Sequence, residues 1–245
     1  MSDFHIVEAR PRTDWVYGSL HALEVAVTVE MFGEDQSVGA EWSRVNYVTE
    51  LTSLNGLLLA LPGAAPADAL PGRFGLPGAP EEPVEVLGAL EFRLPTRDNL
   101  HLMDDVYIQV PPQVRRAGIG TALWREARRI GAEQARTSVI AWSHHRAGPA
   151  SAPERVEAPT GVGHLPVDRG TLFAQSVGLQ LAQVERESRL VLPAAPDLLA
   201  AVRAGAEARA LPAYEVVTWI GLTPSVHQDR VAELNRTLSV DAPTG

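Results

Sequence analysis

The chain contains no cysteine and no lysine, and each absence excludes a class of chemistry. Without cysteine there can be no disulfide, no zinc ribbon and no thiol nucleophile. All 21 basic residues are arginines, so neither a P-loop lysine, nor a Schiff base, nor a lysine general base can be built. The chemistry of this protein must therefore come from other side chains and from the main chain.

Long apolar segments and a positive net charge are missing as well. The best apolar run, residues 54–63, is short and is interrupted by Gly and Pro, so we expect no membrane span. The amino terminus is charged from Asp3 onward and lacks the apolar core of a secretory signal, so we expect a cytoplasmic protein. The net charge of −9 argues against nucleic acid as a partner, because a phosphate backbone requires a positive surface.

The spacing of apolar residues predicts an α/β fold with a mixed sheet, in the order β-α-α-β-β-β-α-β-α-β. Strands are expected at residues 4–10, 56–63, 84–95, 100–111, 137–143 and 185–193. Helices are expected within residues 13–35 and 41–56, after Gly120, and at 171–178. The Pro- and Gly-rich stretches 63–83 and 144–170 are expected to be flexible loops.

The carboxy-terminal part of the chain differs in character from the rest. Residues 195–211 form an Ala-rich amphipathic pattern, and a strand–helix pattern begins at Tyr214 that echoes the one beginning at Phe4. We therefore expect a domain at 1–193 and a tail at 194–245 that begins a second, truncated copy of the fold. The echo is short, so a chance similarity is the alternative. The tail is also a plausible surface for a homodimer.

The turn between the fourth strand and the next helix reads VPPQVRRAGIGTAL, from Val110 to Leu123. A dinucleotide fingerprint would need a third glycine and a later acidic residue, and a Walker A loop would need a lysine, so both are excluded. The first turn of a helix carries N–H groups without intrahelical partners, and glycine lets an anion approach them. We therefore expect this turn to bind a phosphate group.

The Arg-x-x-Gly-x-Gly pattern from Arg115 to Gly120 resembles motif A of the GNAT acetyltransferase superfamily. The resemblance extends over about residues 4–192 and implies a mostly antiparallel mixed sheet with flanking helices, in which the fourth and fifth strands splay apart. It implies acetyl-CoA as the cofactor, with its pyrophosphate held by the main chain of the turn and its pantetheine arm paired to the fourth strand. The cofactor-binding residues implied are Ile108, Val110, Arg115, Arg116, Ala117, Gly118, Ile119, Gly120 and Thr121. The tail adds a similarity to tandem GNAT proteins, including the mycothiol acetyltransferase-like group.

The activity implied by the resemblance is direct transfer of an acetyl group to the primary amine of a small molecule. An alkyl amine must lose a proton before it attacks, and a carboxylate on the splayed strand often accepts it. Asp104 and Asp105 lie on that strand and Glu91 on its neighbour. Strand alternation sends the two aspartates to opposite faces, and we favour Asp104 because it would share a face with Val106.

Departures from the family pattern support an alternative. Ala174 stands where many GNAT enzymes have a tyrosine that protonates the leaving thiolate, and Phe173 beside it is expected to pack in the core. The alternative is a catalytically degenerate module that binds acyl-CoA and serves in regulation or assembly. His144 and His145 are adjacent at a strand end and would point in opposite directions, so no metal site is expected.

Overall fold

The structure is a computed structural model, and it describes residues 3–10, 13–37, 39–49, 51–67, 69–147, 154–188 and 190–241. The strands are β1 Phe4–Glu8, β2 Ser53–Pro62, β3 Gly88–Pro95, β4 Leu102–Gln109, β5 Ser138–Ala141, β6 Arg155–Glu157 and β7 His164–Pro166. The helices are α1 Asp14–Phe32, α2 Ala40–Thr49, α3 Ile119–Glu133, α4 Arg169–Ser176, α5 Pro196–Ala210 and α6 Ser225–Asp241, with a 3₁₀ turn at Pro112–Val114.

The main sheet has five strands in the order β1-β2-β3-β4-β5. Each of the first three pairs is antiparallel, whereas β4 and β5 run parallel. The expected α/β class and the mostly antiparallel mixed sheet are therefore confirmed. The sheet places the carboxyl end of β4 directly before the turn that leads into α3, which is the turn singled out in the sequence.

Alternation along the strands sends apolar side chains to both faces of this sheet. On one face Leu57 and Leu59 of β2 and Ala89 of β3 are buried with apolar residues of α1. On the other face Leu90 and Phe92 of β3 are buried with apolar residues of α3. Burying a side chain of this size contributes about 1.5–3 kcal/mol, so the helices are held against the sheet largely by these two layers.

A bulge in β4 changes the faces predicted for its two aspartates. The register with β3 shifts between the pair Glu91–Tyr107 and the pair Arg93–Asp104, and Asp105 has a φ of 49°. Met103 and Val106 are consequently buried in the same core layer although two residues separate them. The prediction that Asp104 shares a face with Val106 is therefore wrong, because the bulge interrupts the alternation on which it rested.

The splay between β4 and β5 is seen in the register of the pair. The ladder runs from Leu102–Ser138 to Val106–Ala141, and the Trp142 N–H donates to the Val106 carbonyl 3.0 Å away. Beyond Val106, residues 107–109 of β4 pair with β3 only. The bulge in β4 lies next to the point where the two strands begin to separate.

Several segments expected to be loops or strands differ from the prediction. The stretch 63–83 is anchored, because the N–H groups of Arg73 and Phe74 donate to the Glu8 carboxylate at 3.1 and 2.8 Å. The Phe74 ring packs on Phe92 with centroids 5.2 Å apart. The stretch 144–170 contains β6 and β7, and its residues 148–153 lie outside the described part of the chain.

The strand predicted at 185–193 is not formed by the residues described there, and neither is the one predicted from Tyr214. The chain divides into two compact units, one of residues 1–156 and 164–180 and another of residues 157–163 and 181–245. The second unit contains α5 and α6, so the predicted helices of the tail are confirmed without the strand between them. A truncated second copy of the fold stays a prediction.

Candidate functional site

The turn before α3 has an unusual backbone that opens its amides to one side. Arg116 has a φ of 67°, and Gly118, the N-cap of α3, has φ 86° and ψ 0°. The left-handed conformation is disfavoured for residues with a β-carbon, and a β-carbon at Gly118 would meet no atom within 4 Å. Gly118 therefore stands in open space with a backbone that glycine adopts readily.

The main-chain N–H groups of this turn are free to bind an anion. Among the described residues no acceptor is recorded for the N–H groups of residues 116–121, whereas the Ala122 N–H donates to Gly118 O at 3.0 Å. The N-cap residue Gly118 makes no side-chain cap hydrogen bond, so the described residues leave these donors without a partner. Unpaired amides at the start of a helix are donors for an anion, and the positive end of the helix dipole favours a negative charge there.

The two arginines of the turn have different surroundings. Arg115 donates through Nε to Val110 O at 2.8 Å, and its terminal nitrogens lie 2.9 and 2.6 Å from the Glu30 carboxylate of α1. Each nitrogen of the Arg115 guanidinium therefore has a partner within the protein, and a contact of its side chain with the cofactor stays a prediction. Arg116 is exposed, and no side-chain partner is recorded for it in the described part of the chain. Arg116 is thus the guanidinium that could reach an anion on the turn.

Ile108 and Val110, the two residues predicted to contact the pantetheine arm, differ in the main-chain groups that they have available. Ile108 pairs with Leu90 of β3 on one side and has no ladder partner on the β5 side. The Val110 carbonyl accepts Arg115 Nε, which leaves the Val110 N–H as its available group. Ile108 and the Val110 N–H therefore line the opening between the splayed strands.

Helix α4 closes one side of the turn through Phe173. A β-carbon at Gly120 would lie 3.4 Å from the Phe173 ring, so the small residue at 120 also serves the packing of α4. Phe173 packs against the α3 side of the core, as expected. Ala174 follows it, and its methyl group offers no proton.

Glu91 is the acidic side chain with the most perturbed titration on the sheet. It lies on β3 opposite Tyr107 of β4, and alternation with Leu90 places it on the face covered by α1. Burial, with the negative charges of Glu24 and Asp105 adding to it, raises the pKa of Glu91 to about 7. A carboxylate whose pKa lies near neutrality can take up a proton and release it at physiological pH.

The two aspartates of the bulge both contact Arg93. Its guanidinium lies 2.6 Å from Asp105 Oδ2 and 3.6 Å from Asp104 Oδ2, and Asp104 Oδ1 accepts the Asp105 N–H at 2.8 Å. Burial raises the pKa of Asp105, while Arg93 opposes this shift. Asp104 therefore has partners within the sheet, whereas Glu91, noted in the sequence on the neighbouring strand, is the carboxylate with a pKa near neutrality.

His144 and His145 point in opposite directions, as expected. His144 Nδ1 lies 3.3 Å from the Tyr107 hydroxyl, and its ring stands edge-on to Phe32 of α1 with centroids 6.5 Å apart. Burial first, with Glu24 and Glu91 adding to it, raises the pKa of Tyr107 to about 12, so the phenol is neutral. His144 therefore belongs to the α1 face of the site.

His145 lies in a hydrogen-bonded chain that the sequence did not suggest. Ser143 Oγ lies 2.7 Å from His145 Nε2, and His145 Nδ1 lies 2.8 Å from Asp168 Oδ2. Asp168 is the N-cap of α4, and its Oδ1 accepts the Thr171 N–H at 2.9 Å. A Ser-x-His pair after a strand, with an acidic helix cap further on, is the only sequence signal for this arrangement.

No group of three or more metal-ligating side chains is found within the described ranges. No helix in those ranges has the length and apolar character needed to cross a bilayer.

No family model and no curated protein sequence matches the chain. Among solved structures, a tandem GNAT protein from the clavulanic acid biosynthesis pathway is 19% identical with a TM-score of 0.48, over 72% of this chain. This chain spans 43% of that protein. The aminoglycoside N-acetyltransferase AAC(6')-Iy, in complex with CoA, is 10% identical with a TM-score of 0.42, over 78% of this chain and 96% of its own.

A third structure is an aminoglycoside acetyltransferase, meta-AAC0020 from an uncultured soil metagenomic sample, in complex with sisomicin. It is 14% identical with a TM-score of 0.47, over 77% of this chain and 96% of its own. These structures are only distantly similar to this chain. A function for the chain is therefore argued from the residues of the site.

Proposed function

We propose that the protein is an acetyl-CoA-dependent N-acetyltransferase of the GNAT type, which transfers the acetyl group directly to a small-molecule primary amine. The observation that carries this proposal is the run of unpaired main-chain amides at residues 116–121, next to a strand that loses its neighbour after Val106. A helix start with free amides binds a pyrophosphate, and an unpaired strand edge binds an extended amide-containing arm.

The residues that would hold the cofactor follow from this arrangement. The amides of Arg116, Ala117, Gly118, Ile119, Gly120 and Thr121 would hold the pyrophosphate, with the Arg116 guanidinium at the rim. The main-chain groups of Ile108 and the Val110 N–H would pair with the pantetheine arm. Acetyl-CoA, when bound, supplies an acetyl group that is activated as a thioester.

We propose Glu91, in place of Asp104, as the general base that removes the proton of the amine. An alkyl amine with a pKa near 10.4 is protonated at neutral pH, and exposing its lone pair there costs about 4 kcal/mol. A carboxylate with a pKa of about 7 is a stronger base than an ordinary one and is still half ionised at neutral pH. Glu24 on α1 and Asp105 add negative charge nearby, which favours a cationic amine.

The direct test is release of CoA thiol from acetyl-CoA in the presence of a panel of amines. Because the protein has no cysteine, a thiol reagent reports CoA alone. We expect turnover with at least one small primary amine and an acetylated product by mass spectrometry. CoA binding without turnover of any amine would instead support the acyl-CoA-binding module, which Ala174 favours.

The two arginines of the turn give a separate prediction. Arg116→Ala should weaken CoA binding about three- to tenfold without changing Tm, because its exposed guanidinium contacts only the anion. Arg115→Ala should lower stability by about 1 kcal/mol, because Glu30 and the Val110 carbonyl lose their donors. Titration calorimetry and thermal unfolding measure the two effects. A larger loss of CoA affinity for Arg115→Ala, at unchanged Tm, would contradict this assignment.

A further inference from the structure

We propose that Ser143, His145 and Asp168 form a nucleophilic site, in which Ser143 accepts an acyl group from an activated ester or thioester. This activity goes beyond amine acetylation by direct transfer and does not require CoA. It is a second acyl-transfer chemistry, built at the carboxyl end of β5.

The hydrogen bonds run in the order that activates a serine. Ser143 Oγ lies 2.7 Å from His145 Nε2, so its O–H can donate to that nitrogen. His145 Nδ1 lies 2.8 Å from Asp168 Oδ2, and a carboxylate on Nδ1 fixes the tautomer in which Nε2 is the acceptor. A nucleophile, a base in contact with it and an acidic group that orients the base are the parts this chemistry requires.

The residues of this site differ in burial. The His145 side chain is only 3% exposed, whereas Ser143 is an exposed residue. A β-carbon at Gly170 would lie 3.1 Å from the His145 ring, so the absence of a side chain there makes room for the imidazole. Burial raises the pKa of Asp168, but hydrogen bonds from the Thr171 N–H and from His145 outweigh it and lower that pKa below its usual range. The hydrogen-bonded series Ser143–His145–Asp168 therefore has a carboxylate at one end and an accessible hydroxyl at the other.

The position of Ser143 also suits attack on an acyl group. It follows Trp142, whose N–H donates to the Val106 carbonyl at the point where the strands separate. No acceptor for the Ser143 N–H is recorded in the described part of the chain, so this donor can face the oxygen of the attacked carbonyl. The sequence could not indicate this arrangement, because His145 and Asp168 meet only through the fold.

The reaction balances with groups of this chain and water. The Ser143 oxygen bonds to the carbonyl carbon while its proton passes to His145 Nε2, and the bond from that carbon to the leaving oxygen or sulfur breaks. The proton on Nε2 then passes to the leaving group, which departs as an alcohol or thiol. In the second half a water molecule, deprotonated by Nε2, cleaves the acyl-serine to a carboxylic acid and regenerates Ser143.

The test uses the full chain with p-nitrophenyl acetate and a fluorophosphonate, in the absence of CoA. We expect p-nitrophenol release and a single fluorophosphonate adduct that peptide mapping places on Ser143. Ser143→Ala should remove the adduct. His145→Gln and Asp168→Asn should each slow its formation, His145→Gln by at least about 100-fold. Asn is a good N-cap, so Asp168→Asn should keep α4 and separate catalysis from folding.

Ser176→Ala is the matched control, because Ser176 is an exposed serine of α4 that donates to Phe173 O at 2.7 Å. It should label like the unmodified protein. A folded protein that forms no adduct at Ser143 would overturn the proposal, and so would equal labelling of His145→Gln. In either case the Ser143–His145–Asp168 chain would only hold the segment after β5 against α4. Because the assay contains no CoA, its failure leaves the proposed acetyltransferase untouched.

Discussion

Glu91→Gln is expected to lower kcat/KM for amine acetylation about 100-fold or more at neutral pH, since a positioned general base contributes about 10²–10⁴ in rate. The amide has the shape of the carboxylate and cannot accept the proton. Acetylation by the unmodified protein should rise with pH through an apparent pKa of about 7, where Glu91 ionises. In Glu91→Gln this rise, the limb of the pH–rate profile that Glu91 causes, should disappear. The remaining rate should follow the fraction of free amine.

Asp104→Asn is the matched control for this experiment. It changes the same kind of group on the adjacent strand, where Asp104 contacts Arg93 and the Asp105 N–H. We expect it to retain the pH limb and most of the rate. Loss of the limb in Asp104→Asn, with the limb kept in Glu91→Gln, would return the role of base to Asp104.

Glu91→Gln should also increase the stability of the folded protein in alkaline solution. The pKa of Glu91 is raised from 4.5 to about 7 in the folded protein, so the stability that its protonation gives is complete below about pH 4.5. That stability is lost as the pH rises through about 7, when a charge must form in a partly buried site. Glu91→Gln has no such charge and should be about 2–3 kcal/mol more stable than the unmodified protein at about pH 8, with little difference at about pH 4. Denaturant unfolding at the two pH values measures this.

The parts of the fold that local sequence determines were predictable. The short apolar run of β2, and the helical spacing of Leu123, Ala127 and Ile130 on α3, are set by residues close together in the chain. The turn before α3 was predictable for the same reason, since its glycines and the helix start are adjacent in the chain. The fold class and the helices of the tail follow from such patterns.

Features that depend on pairing between distant segments were not predictable. The bulge at Asp105 arises from the register of β4 with β3, so alternation within β4 alone assigned the wrong face to Asp104. The hydrogen bond between His145 and Asp168 joins residues 23 positions apart. Residues 190–192 have strand-forming side chains, yet they are exposed and form no strand, because a strand requires a partner that supplies hydrogen bonds.

Gly118→Val is expected to reduce CoA binding by at least about 100-fold. A β-branched residue disfavours the φ of 86° at this position, and its side chain would occupy the open space that the amides of the turn face. The amides would then be redirected or covered, and a phosphate could no longer reach several of them together. Titration calorimetry with CoA measures the loss directly. Thermal shift gives a second measure, because a ligand present at about 100 times its Kd stabilises the folded protein by about 2.7 kcal/mol.

Gly75→Val separates the cost of the backbone from the loss of the site. Gly75 has a φ of 77°, and a β-carbon there would also meet no atom within 4 Å, so the substitution imposes a similar strain on a loop outside the turn. Both variants should lose stability to a similar extent, about 1–2 kcal/mol, because both force a β-carbon into the left-handed region. Only Gly118→Val should lose CoA. If Gly118→Val bound CoA as tightly as Gly75→Val does, the main chain before α3 would not be the pyrophosphate site, and the free amides of residues 116–121 would need another partner.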